Sequence, residues 1–128
     1  MDIGTWLEAY RRAWEDKDAE AAAALFDGKS TYRSNIFEAP YEGPDGVRLY
    51  WHDVTRSQAD VRVRMGRPYV DGNRVAAEFW TTMLVDGAET TLPGCLLLHF
   101  GDNGLCVSLH EYWHFQPGVH EPPPEWGT

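Results

Sequence analysis

Residues 59–65, 74–85, 90–100 and 105–115 are four long runs of strand chemistry that fill the second half of the chain. They are joined at Asp71-Gly72, Asp86-Gly87 and Gly101-Asp102-Asn103-Gly104. These joins favour tight turns, so the runs predict an antiparallel meander. A sheet of this size with one apolar face must cover that face.

The first half supplies the cover. Ile3, Trp6, Leu7, Tyr10 and Trp14 recur at helical spacing and share one face. Asp2 or Thr5 can cap this helix, and Thr5 with Glu8 fits a capping box. A second helix is predicted after Asp18, through the alanine run to Leu25 and Phe26, ending at Asp27-Gly28. A first strand is predicted over 29–34, with Thr31 and Tyr32 inside it, then a loop over 35–43 with room for a short strand at 36–38. Pro44 can open a third helix with Val47, Tyr50, Trp51 and Val54 on one face. The expected class is α+β, with residues 1–115 as one domain and 116–128 as a Pro-rich C-terminal tail.

Alternation along the strands assigns faces. A two-residue turn at Asp86-Gly87 sets Phe79 opposite Gly94 and Ala77 opposite Leu96. A four-residue turn at 101–104 sets Leu98 opposite Val107, Leu96 opposite Leu109 and Gly94 opposite Glu111. One face then holds Val75, Ala77, Phe79, Leu96, Leu98, Val107, Leu109, Glu111 and Trp113, and should cover the helices. The other holds Glu78, Trp80, Thr82, Cys95, Leu97, His99, Cys106, Ser108, His110, Tyr112 and His114. Such a mixed face suits a homodimer contact.

Six Trp, six Tyr and five Phe in 128 residues are more rings than a minimal core needs, which points to an aromatic-walled cavity for a small apolar ligand. A net charge of -9 disfavours nucleic acid and anionic membrane surfaces. Arg62, Arg64 and Arg67 alternate, as on a solvated sheet face. Met1-Asp2-Ile3-Gly4 lacks a basic stretch followed by an apolar run, and two cysteines make no disulfide framework. A reduced, cytoplasmic protein is expected.

Glu111 is the leading catalytic candidate. A carboxyl among Leu98, Leu109 and Trp113 would have a raised pKa and serve as acid or base near neutrality. The alternative is a structural ion pair with Arg33. Tyr32 and Tyr10 could donate to a ligand carbonyl, or simply pack. Trp14, Trp51 and Trp113 could wall a cavity or fill a solid core. His99, His110 and His114 with Cys95 and Cys106 invite a metal, but a flat sheet spreads the pairs about 13 Å apart, so none is expected. His52 and Asp53 are adjacent on a helix and do not face each other. The glycine-rich nucleotide loops and the Gly-x-Ser-x-Gly nucleophile turn are not found in the sequence.

The order of elements resembles the NTF2-like, SnoaL-like or ketosteroid-isomerase-like cone, over about residues 2–115. Trp6, Leu7 and Tyr10, then Thr31-Tyr32-Arg33, Tyr41-Glu42-Gly43 and His110-Glu111-Tyr112-Trp113 carry the likeness. The last looks like the Arg-Glu-Tyr-aromatic-Asp ending of many SnoaL-like proteins, with His110 in place of the Arg and His114 in place of the Asp. The tail from Pro122 to Gly127 looks like that of a subgroup mostly without assigned function. The resemblance implies a curved antiparallel sheet wrapped around three N-terminal helices, and a conical pocket. It implies no single reaction, since such proteins include isomerases, dehydratases, epoxide hydrolases, polyketide cyclases and binding domains.

Two functions are therefore expected. One is a cofactor-independent acid/base enzyme on an apolar oxygenated substrate, with Glu111, Tyr32 and Arg33 catalytic. Tyr10, Trp14, Trp51, Phe79, Leu96, Leu98, Leu109 and Trp113 would then bind substrate. The other is a non-catalytic binding or scaffold protein of the same fold.

Overall fold

In the computed structural model, which describes residues 2–128, the first two helices start where an aspartate supplies a cap. Asp2 caps α1 (Ile3–Glu15) by accepting from the Thr5 N–H, so the aspartate rather than a Thr5–Glu8 box starts the helix. Asp18 does the same for α2 (Ala19–Ala23) through the Ala21 N–H. That helix is shorter than the alanine run suggests, because Phe26 already belongs to a strand. The third helix, α3 (Gly43–Thr55), opens on Gly43 at φ +67 followed by Pro44. The positive φ suits glycine, and a Cβ there would sit 3.1 Å from the Gly28 carbonyl oxygen.

The strands are β1 (Phe26–Arg33), β2 (Tyr41–Glu42), β3 (Gln58–Met65), β4 (Tyr69–Asp71), β5 (Arg74–Val85), β6 (Ala88–Phe100), β7 (Cys106–Trp113) and β8 (Gln116–Pro117). They form one sheet in the order β2-β1-β7-β6-β5-β3, with β4 on β5 and β8 on β6. Every pairing is antiparallel except β1 with β7, which is parallel. The chain can make that parallel contact because α3 and the meander intervene between the two strands. The β4 strand is not expected from sequence because it has only three residues, and its turn is the only signal. The register shifts between Ala59 and Arg62 and between His99 and Phe100, as at bulges, which bend and twist a strand locally.

The Asp86-Gly87 turn has positive φ at both positions, and it pairs Val85 with Ala88 as a two-residue hairpin should. The next turn departs from expectation. Leu98 pairs with Leu109, Leu96 with Glu111 and Gly94 with Trp113, a slip of two residues. An even slip keeps Leu109 and Glu111 on the inner face. The bulge takes back one of those two residues at the turn, where Phe100 pairs with Cys106. Cys106 thereby points into the core, completely buried, rather than to the outer face.

Trp6, Tyr10 and Trp14 of α1 lie inside the curved sheet. Trp6 meets Phe26 and Phe100 edge-on at 5.8 and 5.2 Å, and its Nε1 donates to the Leu25 carbonyl at 2.9 Å. The alanines of α2 leave little bulk, and Ala19, Ala22 and Ala23 are all buried. The tail beyond β8 turns at Gly118 and crosses the outer face of β5 and β3. Trp80 Nε1 donates to the His120 carbonyl, Trp126 stands edge-on to Trp80 at 5.8 Å, and Arg64 lies 5.3 Å from the Trp126 ring.

Phe79 and Gly94 face each other across β5 and β6. A Cβ on Gly94 would fall 2.3 Å from Phe79 Cζ and 2.7 Å from the Tyr112 carbonyl oxygen. Phe79 is fully buried and stands edge-on to Trp14 at 5.4 Å, so its ring has no free direction. Gly94→Ala is expected to destabilise the fold by about 1–3 kcal/mol, measured by urea unfolding. Full stability in that variant would show that the ring moves freely.

Candidate functional site

Between α1, α3 and the inner face of the sheet lies a cavity of about 200 Å³. It is below the roughly 300–1,000 Å³ of drug-sized sites, so it suits a small ligand. Tyr10 and Trp14 come from α1, Tyr32 from β1, Tyr50, Trp51, Val54 and Thr55 from α3, and Ser57 and Gln58 from its end and the start of β3. Met83 and Val85 from β5, Leu92 from β6 and Glu111 and Trp113 from β7 complete it with Phe115.

Glu111 is 7% exposed and lies between tyrosine hydroxyls from separate elements. Tyr50 donates to its Oε1 at 3.2 Å, and Tyr32 donates to the same oxygen across a longer 3.5 Å. The Tyr32 hydroxyl lies 3.1 Å from that of Tyr10. Since Tyr32 spends its proton on Glu111, Tyr10 is the donor in that pair. Oε2 of Glu111 has no hydrogen-bond partner among the described residues. Burial raises the carboxyl to a pKa of about 7, and the Tyr50 and Tyr32 hydroxyls pull the other way without overcoming it. All three tyrosines are pushed well above their ordinary value by burial and by the nearby Glu111 charge, so they remain proton donors.

Two tryptophans behave differently here. Trp14 Nε1 donates to Gln58 Oε1 at 2.9 Å. Indole is only a donor, so this bond orients the amide and leaves its NH₂ for other partners. Trp51 is 2% exposed, and its Nε1 has no partner among the described residues. Its ring meets that of Tyr10 at 5.4 Å and 86°, making a corner of the cavity.

Of the residues singled out from sequence, Glu111, Tyr32, Tyr10, Trp14, Trp51 and Trp113 meet at this cavity. Phe79, Leu96, Leu98 and Leu109 do not line it: they are packed into the solid core around Trp14 and Gly94 or beneath β7. Arg33 is also outside it. Neighbouring residues of a strand point to opposite sides, so with Tyr32 inward Arg33 turns away and donates to the Glu38 carbonyl at 2.6 Å. The ion pair with Glu111 does not form. Trp113 stands at the rim, 49% exposed, with Nε1 donating to the Ser34 carbonyl.

Helical spacing places Tyr50 on the inner face of α3 but gives no sign that it bonds Glu111. Met83 and Val85 are legible by continuing the alternation from Phe79. Gln58 carries no signal, because its position depends on where α3 ends. On the outer face, Cys95 pairs with Tyr112, Leu97 with His110 and His99 with Ser108. The register expected from the turns sets Cys95 opposite His110 and His99 opposite Cys106, and neither pair forms. No three His, Cys, Asp or Glu among the described residues converge as a metal site.

Residues 7–109 match the SnoaL-like domain. The sequence has no significant match among curated proteins. Several solved structures share the fold. A Catenulispora acidiphila protein of ketosteroid isomerase-like fold, in complex with trimethylamine, is 21% identical with a TM-score of 0.76, covering 84% of this chain and 83% of that one. SalBIII, an epoxide hydrolase/cyclase-like enzyme with a role in pyran ring formation in the polyether salinomycin, is 17% identical with a TM-score of 0.75, covering 87% and 89%. An LEH-like epoxide hydrolase of M. tuberculosis is 15% identical with a TM-score of 0.70, covering 86% and 80%. At these identities the likeness is one of fold, and the match over most of the sequence settles the rest: the chain belongs to the SnoaL-like domain family.

Proposed function

We propose that this chain is a small-molecule pocket protein in which Glu111 works as a single acid/base group on a compact, mostly apolar, oxygen-bearing substrate. The observation that carries this reading is a carboxyl buried at the cavity wall, held by two tyrosine hydroxyls through one oxygen, with the other oxygen unbonded among the described residues. A group with a pKa near 7 can both give and take a proton at neutral pH. Rings surrounding it exclude water, which strengthens its hydrogen bonds. Isomerisation, dehydration, ring closure and epoxide opening all need such a group, and similar folds belong to an epoxide hydrolase/cyclase-like enzyme and an epoxide hydrolase. Tyr10 feeds the network through Tyr32. Arg33 takes no part in the reading, because it turns away from the cavity.

A specific observation favours a second reading. Glu111 is the only acidic residue among those lining the cavity, so an acid and a base of separate residues are not paired there. A non-catalytic binding protein needs no such pair. Ligand turnover by the wild type and its loss in Glu111→Gln, with binding retained, separates the two.

We also propose a homodimer through the outer sheet face. The tail occupies the β3–β5 side of that face, and Leu97 and Tyr112 remain exposed at 44% and 46%. The two free cysteines fit a reducing compartment, and we propose the cytoplasm.

Three outcomes are expected. A folded-state pKa of about 7 against an ordinary 4.5 means that folding favours the protonated carboxyl. Its contribution is fully present below about pH 4.5, is lost as pH rises toward 7, and is flat above that. Relative to Glu111→Gln, the wild type should therefore lose on the order of 3 kcal/mol between pH 4.5 and 8, read by urea unfolding of both proteins. A constant difference would mean that the carboxyl titrates normally. Tyr50→Phe removes a hydroxyl that stabilises the ionised form, so the Glu111 midpoint should move upward in carboxyl-carbon NMR titration; a downward move would contradict the Tyr50–Glu111 hydrogen bond. Leu97→Glu should convert a dimer to a monomer in sedimentation equilibrium, and a wild-type monomer would refute the dimer outright.

A further inference from the structure

We propose that the occupant of this pocket carries a positive charge beside Glu111, as a compact organic ammonium with an apolar body. This rests on reading Glu111 as the working group of the cavity, and it adds the sign of the substrate's charge.

The cavity has one formal charge on its lining and no counter-charge. No lysine, arginine or histidine lines it, and the bonds to Glu111 come from neutral hydroxyls. An ionised carboxylate with neutral partners in a buried site is poorly compensated, and a cation held by the ligand supplies what the protein leaves out. The walls suit that cation as well. Trp14 and Trp51 each meet Tyr10 nearly edge-on, at 77° and 86°, so neighbouring rings stand as adjacent sides of a box. The faces of tryptophan and tyrosine attract cations, and organic ammonium groups most of all when water is excluded. Trp113 and Phe115 continue the aromatic lining to the rim.

The donors point to the same sign. An anionic or strongly polarised oxygen would need free N–H or O–H groups aimed at it. Tyr32 and Tyr50 both spend their protons on Glu111 Oε1, and Tyr10 spends its own on Tyr32. Trp51 Nε1 and the Gln58 amide are the donors left over, with no cationic side chain beside them, and they suit a hydroxyl or ether oxygen on the same ligand. A chain of net charge -9 also concentrates cations near its surface. With the cation bound, Glu111 stays ionised and acts as a base rather than as an acid.

Choline and 3,3-dimethyl-1-butanol test this, since they share a shape and differ in charge. Each is titrated calorimetrically into the full chain at about pH 8 and about pH 5.5. The groups facing Glu111 are Tyr10 from α1, Tyr32 from β1 and Tyr50 from α3, with Leu96 opposite it on β6 and the Cys106 thiol close to Tyr10. Burial holds the three hydroxyls well above their ordinary range and the Cys106 thiol at about 12, so among these groups only Glu111 changes charge between those two conditions. Choline is expected to bind roughly tenfold or more tightly than the neutral alcohol at the higher pH, with the preference falling several-fold at the lower pH and in Glu111→Gln, where only the ring faces still favour the cation. Equal or tighter binding of the alcohol at the higher pH overturns the proposal, as does a preference that is undiminished at the lower pH or in the variant, or binding of neither probe. Should the variant fail to fold, the wild-type comparison at two pH values decides alone. If the alcohol binds and stabilises the protein while choline does not, the pocket reading stands and only the charge is wrong. If neither stabilises it and Glu111 titrates near 4.5, both readings fall.

Discussion

The packing of α1 against the inner face of the sheet decides which part of the cone is solid and which is hollow. Trp6 closes one end by meeting Phe26 and Phe100 edge-on and stacking on Tyr10 at 5.4 Å. Trp14 fills the space over Phe79, and Gly94 leaves room for that ring by having no side chain of its own. Beyond Tyr10 the rings of Trp14 and Trp51 meet it edge-on, and the hollow there is bounded by rings on several sides.

Glu111 sits at the edge between those two regions. Its strand neighbours inward are core residues, with Leu109 fully buried, while the residue two further on reaches the rim. A carboxyl at that boundary loses most of its water but keeps one open side. Desolvation favours its neutral form and the tyrosine hydroxyls favour its ionised form. Desolvation outweighs the hydroxyls and lifts the carboxyl to a pKa of about 7, which leaves the group able to change state at neutral pH. The group is also responsive to whatever enters the cavity, since a nearby charge favours one of its two states.

Much of this is legible in the sequence. The spacing of Trp6, Tyr10 and Trp14 locates the buried side of α1, and Asp86-Gly87 sets the β5–β6 register through to Phe79 and Gly94. The fold family follows from the order of elements. The second hairpin is harder, because Gly101-Asp102-Asn103-Gly104 is compatible with more than one register. The expected pairing is two residues out, and parity alone keeps Glu111 on the correct side. Cys106 loses that protection, since the bulge next to it changes the parity of the strand. Leu96, Leu98 and Leu109 illustrate a different difficulty. An inward-facing apolar residue lines a cavity or fills a core according to what stands opposite it, and a sequence does not say what stands opposite.

The chain's own residues therefore determined the elements, their inward faces and the presence of one carboxyl among apolar neighbours, because periodicity and turn chemistry act over a few residues. Tertiary structure decided that Tyr50 rather than Arg33 reaches Glu111, that the cavity lies at one end of α1, and that the tail crosses the outer face to Trp80. Those outcomes depend on distances between segments far apart in the chain, which are set by how the sheet bends and how large side chains share the space beneath it.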